Sequence, residues 1–202
     1  MSSFIYDVKP AVQRLLVPAA RLLHRLGVTA NQVSVTAILL SFVAGALLCF
    51  KAGSPRGLLL LPVALFLRMA MNAVDSILAK EFEIKSRLGI FLNELGAVLS
   101  DAALYLPLAL GWHFSPVLIV LLVVLAVISE LSGIAGVMVG SGRRYDGPMG
   151  HSERALVLGL IGLAIGLGVP VGLWENLLLG TMLILLAYTT YNRVHMALWR
   201  GQ

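Results

Sequence analysis

Six apolar stretches divide the chain, at about residues 30–50, 57–79, 88–110, 115–139, 155–173 and 176–199. Each approaches the roughly 20 residues that a helix needs to cross a bilayer. Polar residues collect in the short connectors. Residues 51–56 (K-A-G-S-P-R) read as a turn through their Gly and Pro, residues 80–87 are charged, and residues 141–154 form the longest polar segment. Ahead of the first stretch, Arg14, Arg21 and Arg25 alternate with paired leucines at near-helical spacing. That pattern fits a helix lying in the membrane surface with its basic residues toward headgroups. A solvated helix packed on the spans is the alternative, and Pro18 is expected to kink or interrupt either. The predicted fold is an all-α integral membrane protein. An N-terminal interfacial amphipathic helix (1–27) precedes six transmembrane helices (28–202), and 1–202 form a single domain.

Composition agrees. Of 202 residues, 59% are hydrophobic and 12% charged, against about 25% charged in soluble domains. The mean hydropathy is +0.93. Too little polar surface remains to cover a water-soluble globule. The net charge of +5 does not point to nucleic acid, because the basic residues flank the apolar runs, as anionic headgroups favour. In a six-span arrangement Lys9, Arg14, Arg21, Arg25, Lys80, Lys85, Arg87, Arg143, Arg144, Arg154, Arg193 and Arg200 fall on one side and only Lys51 and Arg56 on the other. The asymmetry places both termini and the loops around Lys80 and Arg143 in the cytoplasm, in what is expected to be a bacterial inner membrane. The single cysteine, Cys49, excludes an internal disulfide and a CxxC zinc site. Residues 1–18 lack the apolar core of a cleavable signal peptide, so none is expected.

The chemistry gathers between Asn72 and Ala97. The segment reads N-A-V-D-S-I-L-A-K, then eight residues, then G-I-F-L-N-E-L-G-A. Helical spacing puts Asn72 and Asp75 on one face, and Asn93 and Ala97 on one face of the next helix. Ionisable and polar groups at membrane depth are costly and mark a functional site. This segment resembles the signature of the CDP-alcohol phosphotransferases, D-x-x-D-G-x-x-A-R-x8-G-x-x-x-D-x-x-x-D, in spacing throughout. The resemblance implies transfer of a substituted phosphoryl group from a CDP-alcohol, such as CDP-diacylglycerol, to a hydroxyl acceptor. CMP is released and the product is a phospholipid. It also implies Mg²⁺ or Mn²⁺ on the acidic residues, a base at the last of them, membrane-lipid partners and a homodimer.

The residues depart from that pattern. Asp75, Ala79 and Gly89 match. Asn72 and Asn93 stand at the first and third acidic positions, as in a bacterial branch of the family. Ser76 replaces the Gly, Lys80 the Arg, and Ala97 the final Asp. The expected metal set is therefore Asp75, Asn72 and Asn93, and the expected nucleotide set Asn31, Asp75, Ser76, Ala79, Lys80 and Gly89. Two divalent ions carry four positive charges, and the family's four carboxylates match them, whereas the equivalent positions here bring one. Repulsion between ions about 4 Å apart is then poorly offset, so turnover is expected to be impaired. Asp101, one turn beyond Ala97, and Glu94 are candidate substitutes for the missing ligand or base, with pairing to Arg or Lys as the alternative. A non-catalytic relative that binds nucleotide or lipid is the second reading. A small transporter is disfavoured, since no paired inverted repeats with broken spans are visible.

Two further stretches share the resemblance. V-T-A-N-Q-V-S-V (28–35) resembles the family's T-P-N-x-x-T opening of the first span, with Thr29 a candidate helix N-cap and Asn31 a candidate nucleotide contact. D-G-P-M-G-H-S-E-R-A (146–155) resembles G-P-x-G-K-S-D-R-A. Arg143, Arg144, His151 and Arg154 could there meet an acceptor or lipid phosphate, or serve only as positive-inside residues. Arg68 and Glu130 are expected in a structural ion pair, with each other or with another buried group. His24, His113 and His195 are too scattered for a metal site. Trp112, Trp174 and Trp199 fit an aromatic belt. Gly159, Gly162, Gly166 and Gly168 fit close helix packing.

Overall fold

The computed structural model describes residues 4–81 and 86–199, with side chains from residue 15 onward, and every regular element among them is helical. Lys9, Arg14, Lys85 and Arg200, counted above for orientation, have side chains outside the described residues. The order is α1 (Phe4–Arg25), α2 (Ala30–Phe50), α3 (Leu60–Glu81), α4 (Arg87–Tyr105), α5 (Pro116–Met138), α6 (His151–Gly166) and α7 (Trp174–Trp199). Short 3₁₀ turns, Pro55–Leu59 and Leu106–Leu110, extend α3 at its start and α4 at its end. Five of these segments are long and apolar enough to cross a membrane: Ala30–Phe50, Pro55–Glu81, Arg87–Leu110, Pro116–Met138 and Trp174–Trp199. Large apolar side chains such as Phe42, Phe66, Val120 and Ile184 stay exposed on their outer faces, as lipid-facing positions require. The chain is a membrane protein.

The fifth predicted stretch is the exception. α6 stops at Gly166, seven residues before the apolar run ends, because Gly168 takes a left-handed φ of +103° and Pro170 follows, which cannot continue a helix. Its 16 residues rise about 24 Å, short of a hydrocarbon core about 30 Å thick. Gly159, Gly162 and Gly166 do serve close packing: a Cβ on Gly162 would stand 3.2 Å from Leu61, and one on Gly166 would stand 2.5 Å from Leu59. Gly168 does not, since nothing lies within 4 Å of it; it ends the helix instead.

Thr29 caps α2 as expected. Its hydroxyl accepts from the Gln32 amide at 3.3 Å, and Gln32 Oε1 accepts from the Thr29 amide at 2.9 Å, a reciprocal capping box. α2 then crosses α4 at van der Waals contact. A Cβ at Gly45 would fall 2.1 Å from the Ala103 carbonyl, and one at Gly96 would fall 2.8 Å from Ile38. α1 packs on the last turns of α3, with Leu16, Val17, Ala20 and Leu23 against Val74, Ile77 and Leu78, and Arg21 lies 3.6 Å from Glu81. Pro18 does not interrupt it; α1 is one continuous helix.

The main apolar core joins α2, α3, α4, α5, α6 and α7 around Leu58, Leu104, Ile119, Leu158 and Leu186. Trp112 belongs to this core rather than to an interfacial belt: it is buried, and its Nε1 donates to the Ser54 carbonyl at 2.8 Å. That bond lets an otherwise apolar site accept an indole. Trp199 is exposed, as a belt residue should be.

Candidate functional site

Two polar regions sit side by side in the bundle. The first is the segment singled out by sequence. α3 carries Asn72, Asp75, Ser76, Ala79 and Lys80, and α4 carries Gly89, Asn93 and Ala97. α2 closes the third side. A small cavity of about 10 Å³ between the three helices is lined by Ser34, Ile38, Asn72, Asn93, Ala97 and Ser100, among others. The structure thus brings together three of the four positions that carry acids in the family signature. The fourth, Asp75, is buried on α3 beside Ser34. Ser34 and Ser100 were missed from the sequence. Ser34 carried a signal, since it stands where the T-P-N-x-x-T pattern has its last Thr.

Several expected contacts face other partners. Asn31 Oδ1 accepts from the Ser86 hydroxyl at 3.1 Å, and Ser86 Oγ accepts from the Gly89 amide at 2.8 Å. These bonds tie the opening of α2 to the N-terminus of α4. A Cβ on Gly89 would fall 2.7 Å from Asn31 Oδ1, so a glycine is needed there for helix approach. Ser76 donates to the Asn72 carbonyl one turn back at 2.9 Å. Lys80 is exposed at the end of α3.

The second region is a buried ion network. Arg68 donates to Asp101 Oδ1 at 2.7 Å, and Arg154 donates to Asp101 Oδ2 at 2.9 Å and to Glu130 Oε1 at 3.1 Å. Arg193 lies 3.2 Å from Glu130 and donates to the Ser129 carbonyl at 2.7 Å. Arg143, from the loop after α5, holds Glu94 through two nitrogens at 2.9 and 2.8 Å and reaches Glu130 at 2.8 Å. Burial works against the Arg143 charge, but its hydrogen bonds to Glu94 and Glu130 outweigh that and hold its pKa above the ordinary guanidinium value. His151 sits between Arg68 and Asp101. Its Nδ1 lies 3.3 Å from Asp101 Oδ2.

Arg68 therefore pairs with Asp101, while Glu130 serves other buried cations. Asp101 and Glu94, the candidate substitutes at the signature site, spend their oxygens on guanidinium groups. Arg143, His151 and Arg154 do meet in one network, but carboxylates already face them, and Arg144 holds Asp146 at 2.9 Å. Arg193 is a member that the sequence reading counted only for orientation; a lone Arg inside the apolar run 176–199 was its one signal.

Glycines position the loop that supplies Arg143. A Cβ on Gly133 would stand 2.0 Å from the Arg143 guanidinium, and one on Gly136 would stand 2.6 Å from the Gly142 carbonyl. The loop lies in that groove through bonds from the Arg144 amide to the Gly133 carbonyl and from the Ser141 amide to the Gly136 carbonyl, each 3.0 Å. It is pinned to α7 where Met149 donates to Thr189 Oγ1 at 2.9 Å.

The donor chemistry of the cavity decides what metal it suits. Among the described residues no three His, Cys, Asp or Glu side chains group as a metal site. The signature positions offer one carboxylate and two neutral amides. Hard divalent cations want several oxygen ligands, chiefly charged ones. The set does not fit a pair of Mg²⁺ or Mn²⁺ ions; one weakly held ion is its limit.

Comparison with known proteins bears on the family and the fold. The chain is 41% identical over 189 residues to the inner membrane protein YnbA of Escherichia coli (strain K12), a match covering 94% of each protein. Its fold is similar to that of phosphatidylinositol phosphate synthase (PgsA1) of Mycobacterium tuberculosis. The structure of that enzyme with CDP-DAG bound gives a TM-score of 0.76 at 19% identity, over 91% of this chain and 94% of the other. Its structure in complex with manganese and citrate gives 0.75 at 19% identity, over 90% and 88%. No protein-family profile matches the chain.

Proposed function

From the premise that the chain belongs to the family of the E. coli inner membrane protein YnbA, we propose that it is a CDP-alcohol phosphatidyltransferase-like protein of the inner membrane whose transfer step is impaired. One observation carries this reading. Asn72, Asn93 and Ala97, at the spacing of the CDP-alcohol phosphotransferase signature, meet around a single cavity with one carboxylate, Asp75, at its edge. The shared fold of an enzyme that binds CDP-DAG supports a CDP-alcohol such as CDP-diacylglycerol as ligand. Asp75, Asn72 and Asn93 offer the cation oxygens. Asn31, Ser76, Ala79, Lys80 and Gly89 are the nucleotide side of this reading, with Lys80, exposed at the end of α3, as its cation for phosphate. Arg143, Arg144, His151 and Arg154 would meet an acceptor phosphate by exchanging it for a carboxylate they now hold.

The chemistry explains the impairment. Transfer forms a bond from the acceptor oxygen to phosphorus and breaks the bond to the CMP oxygen. The acceptor's proton must go to a base in reach. At the base position stands Ala97, whose methyl group takes no proton, while Glu94 and Asp101 are held by Arg143, Arg68 and Arg154. That engagement is the observation favouring the second reading, a non-catalytic relative that binds nucleotide or lipid.

The membrane arrangement follows the same premise. α6 serves as a short sixth crossing, because an even number of spans returns both termini to the cytoplasmic, Lys- and Arg-rich side. α1 rests on the inner leaflet with Leu15, Leu22 and Leu26 toward lipid, all three of them exposed. The unit is a homodimer in the bilayer.

CMP release from labelled CDP-diacylglycerol with Mg²⁺ or Mn²⁺ tests the reading. The chain as it stands should run near background. The triple change Ser76→Gly, Lys80→Arg and Ala97→Asp should raise release by about 100-fold or more, the range a positioned general base supplies. Brisk turnover by the unaltered chain overturns the impairment. Silence from both proteins favours the non-catalytic reading.

A further inference from the structure

α1 has three faces. Its inner strip, Leu16, Val17, Ala20 and Leu23, packs on Val74, Ile77 and Leu78 of α3. A second strip, Leu15, Leu22 and Leu26, is exposed. Arg21 and Arg25 lie on a third strip, also exposed. At 3.6 residues per turn, the basic strip stands about a third of a turn from each of the other two. Water alone would leave three leucines solvated, and acyl chains alone would strip the arginines of water. The level of lipid headgroups suits both strips at once.

The protein itself does little to balance the basic strip. Arg25 has no ion pair among the described residues. Arg21 lies 3.6 Å from Glu81, but both side chains are well exposed, and such a pair contributes little. Neighbouring helix ends add to the field: Lys80 near the end of α3 and Arg87 at the start of α4 are exposed as well. Against these four exposed cations the same helix ends set one exposed acid, Glu81. A basic surface at headgroup level complements phosphodiester anions.

We infer that α1 is a docking surface for anionic phospholipid of the inner leaflet, with Arg21 and Arg25 as its headgroup contacts. Arg21 gives up only a solvent-exposed pair when it turns from Glu81 to a lipid phosphate. The consequence reaches the signature helix. The inner strip of α1 seats on the turns of α3 that carry Asp75, Ser76, Ala79 and Lys80, in an apolar cluster separate from the main core. Lipid that holds α1 therefore holds those turns. The inference rests on the proposed seat of α1 on the inner leaflet and adds the charge of the lipid it selects. It does not depend on what the signature positions bind.

The test is hydrogen exchange on the full chain in nanodiscs of phosphatidylcholine alone and of phosphatidylcholine mixed with phosphatidylglycerol. Each basic residue near an anionic surface is worth roughly fivefold in binding, so amides of residues 15–26 should exchange about tenfold more slowly in the mixture. Residues 74–81 should slow with them. Arg21→Gln with Arg25→Gln keeps helix propensity and removes no buried contact, and it should abolish the difference. Inorganic phosphate added to the phosphatidylcholine discs should not reproduce it. Equal exchange in the two bilayers, or slowing that survives the double substitution, overturns the inference and leaves α1 on the leaflet. Slowing by inorganic phosphate alone also overturns it, because the surface is then a site for soluble anions. Slowing that stops at α1 removes the link to α3. Exchange of residues 15–26 as fast as in an unfolded peptide in both bilayers removes the seat of α1 as well.

Discussion

The two polar regions of this bundle share α3 and α4 but treat charge in opposite ways. Around the signature cavity, four positions that hold acids in the resembling family hold two amides, a methyl group and one carboxylate. One turn away, seven charged side chains from α3, α4, α5, α6, α7 and the loop after α5 interlock with almost every oxygen and nitrogen engaged. The contrast separates two uses of charge in a low-dielectric interior. Charges that compensate one another within the protein hold helices in register and persist with no ligand present. A set of like charges repels itself until cations arrive, so it is tolerated only where those cations are used. The cavity has lost that set, and the network has kept its charges.

The sharpest way to break this contrast is to uncouple the network. Glu130 faces Arg143, Arg154 and Arg193, so Glu130→Ala leaves three guanidinium groups short of a counter-charge. Removing one partner of a buried pair costs about 3–5 kcal/mol, and thermal unfolding in detergent should show a loss of that order. A change near zero would mean that the network is solvated and adds little. Substituting Gly133 is the next largest effect. Gly133→Ala puts a methyl group where the Arg143 guanidinium lies. Overpacking costs about 1–3 kcal/mol, and the loop should become more open to proteolysis. Ala at Gly180, on α7 with open space around it, should not disturb the Arg143 pairing.

What the sequence made legible divides along the same line. The cavity was readable because its residues are local: spacings of three and four within α3 and α4 place them on one face whatever the rest of the fold does. The network was readable only in outline. Arg68 and Glu130 stood out as lone charges in apolar runs, but Asp101 is 33 residues from Arg68, and Arg193 is 63 from Glu130. Such pairings depend on where helices cross and at what height, which no periodicity encodes. The role of Gly133 and Gly136 in seating a loop appeared only with the returning chain in place. Helix length was misjudged at α6, where Gly168 and Pro170 stop the helix before its hydropathy falls.

The cap on α2 probes the cavity side at intermediate strength. Thr29→Ala removes the hydroxyl of a reciprocal box, which should cost about 1 kcal/mol. It should also weaken ligand binding modestly by loosening the helix that carries Ser34. Thr29→Ser should restore both. An unchanged melting temperature would show that the Asn31–Ser86 contact already holds this end of α2.

Asn72→Ala is the smallest expected effect on stability and the clearest reading of the comparison. The side-chain amide has no hydrogen bond among the described residues to lose, and its removal leaves no buried group unpaired. Changes at positions without such partners usually stay within about 0.5 kcal/mol, so unfolding should be nearly unmoved. Ligand binding should fall all the same, because the amide's free donors face the cavity. A substitution silent in stability and costly in binding is the behaviour of a side chain kept for a ligand. If instead Asn72→Ala destabilises as strongly as Glu130→Ala, the amide is a structural tie between α3 and α4, and the division between a ligand-facing region and a self-compensating one does not hold.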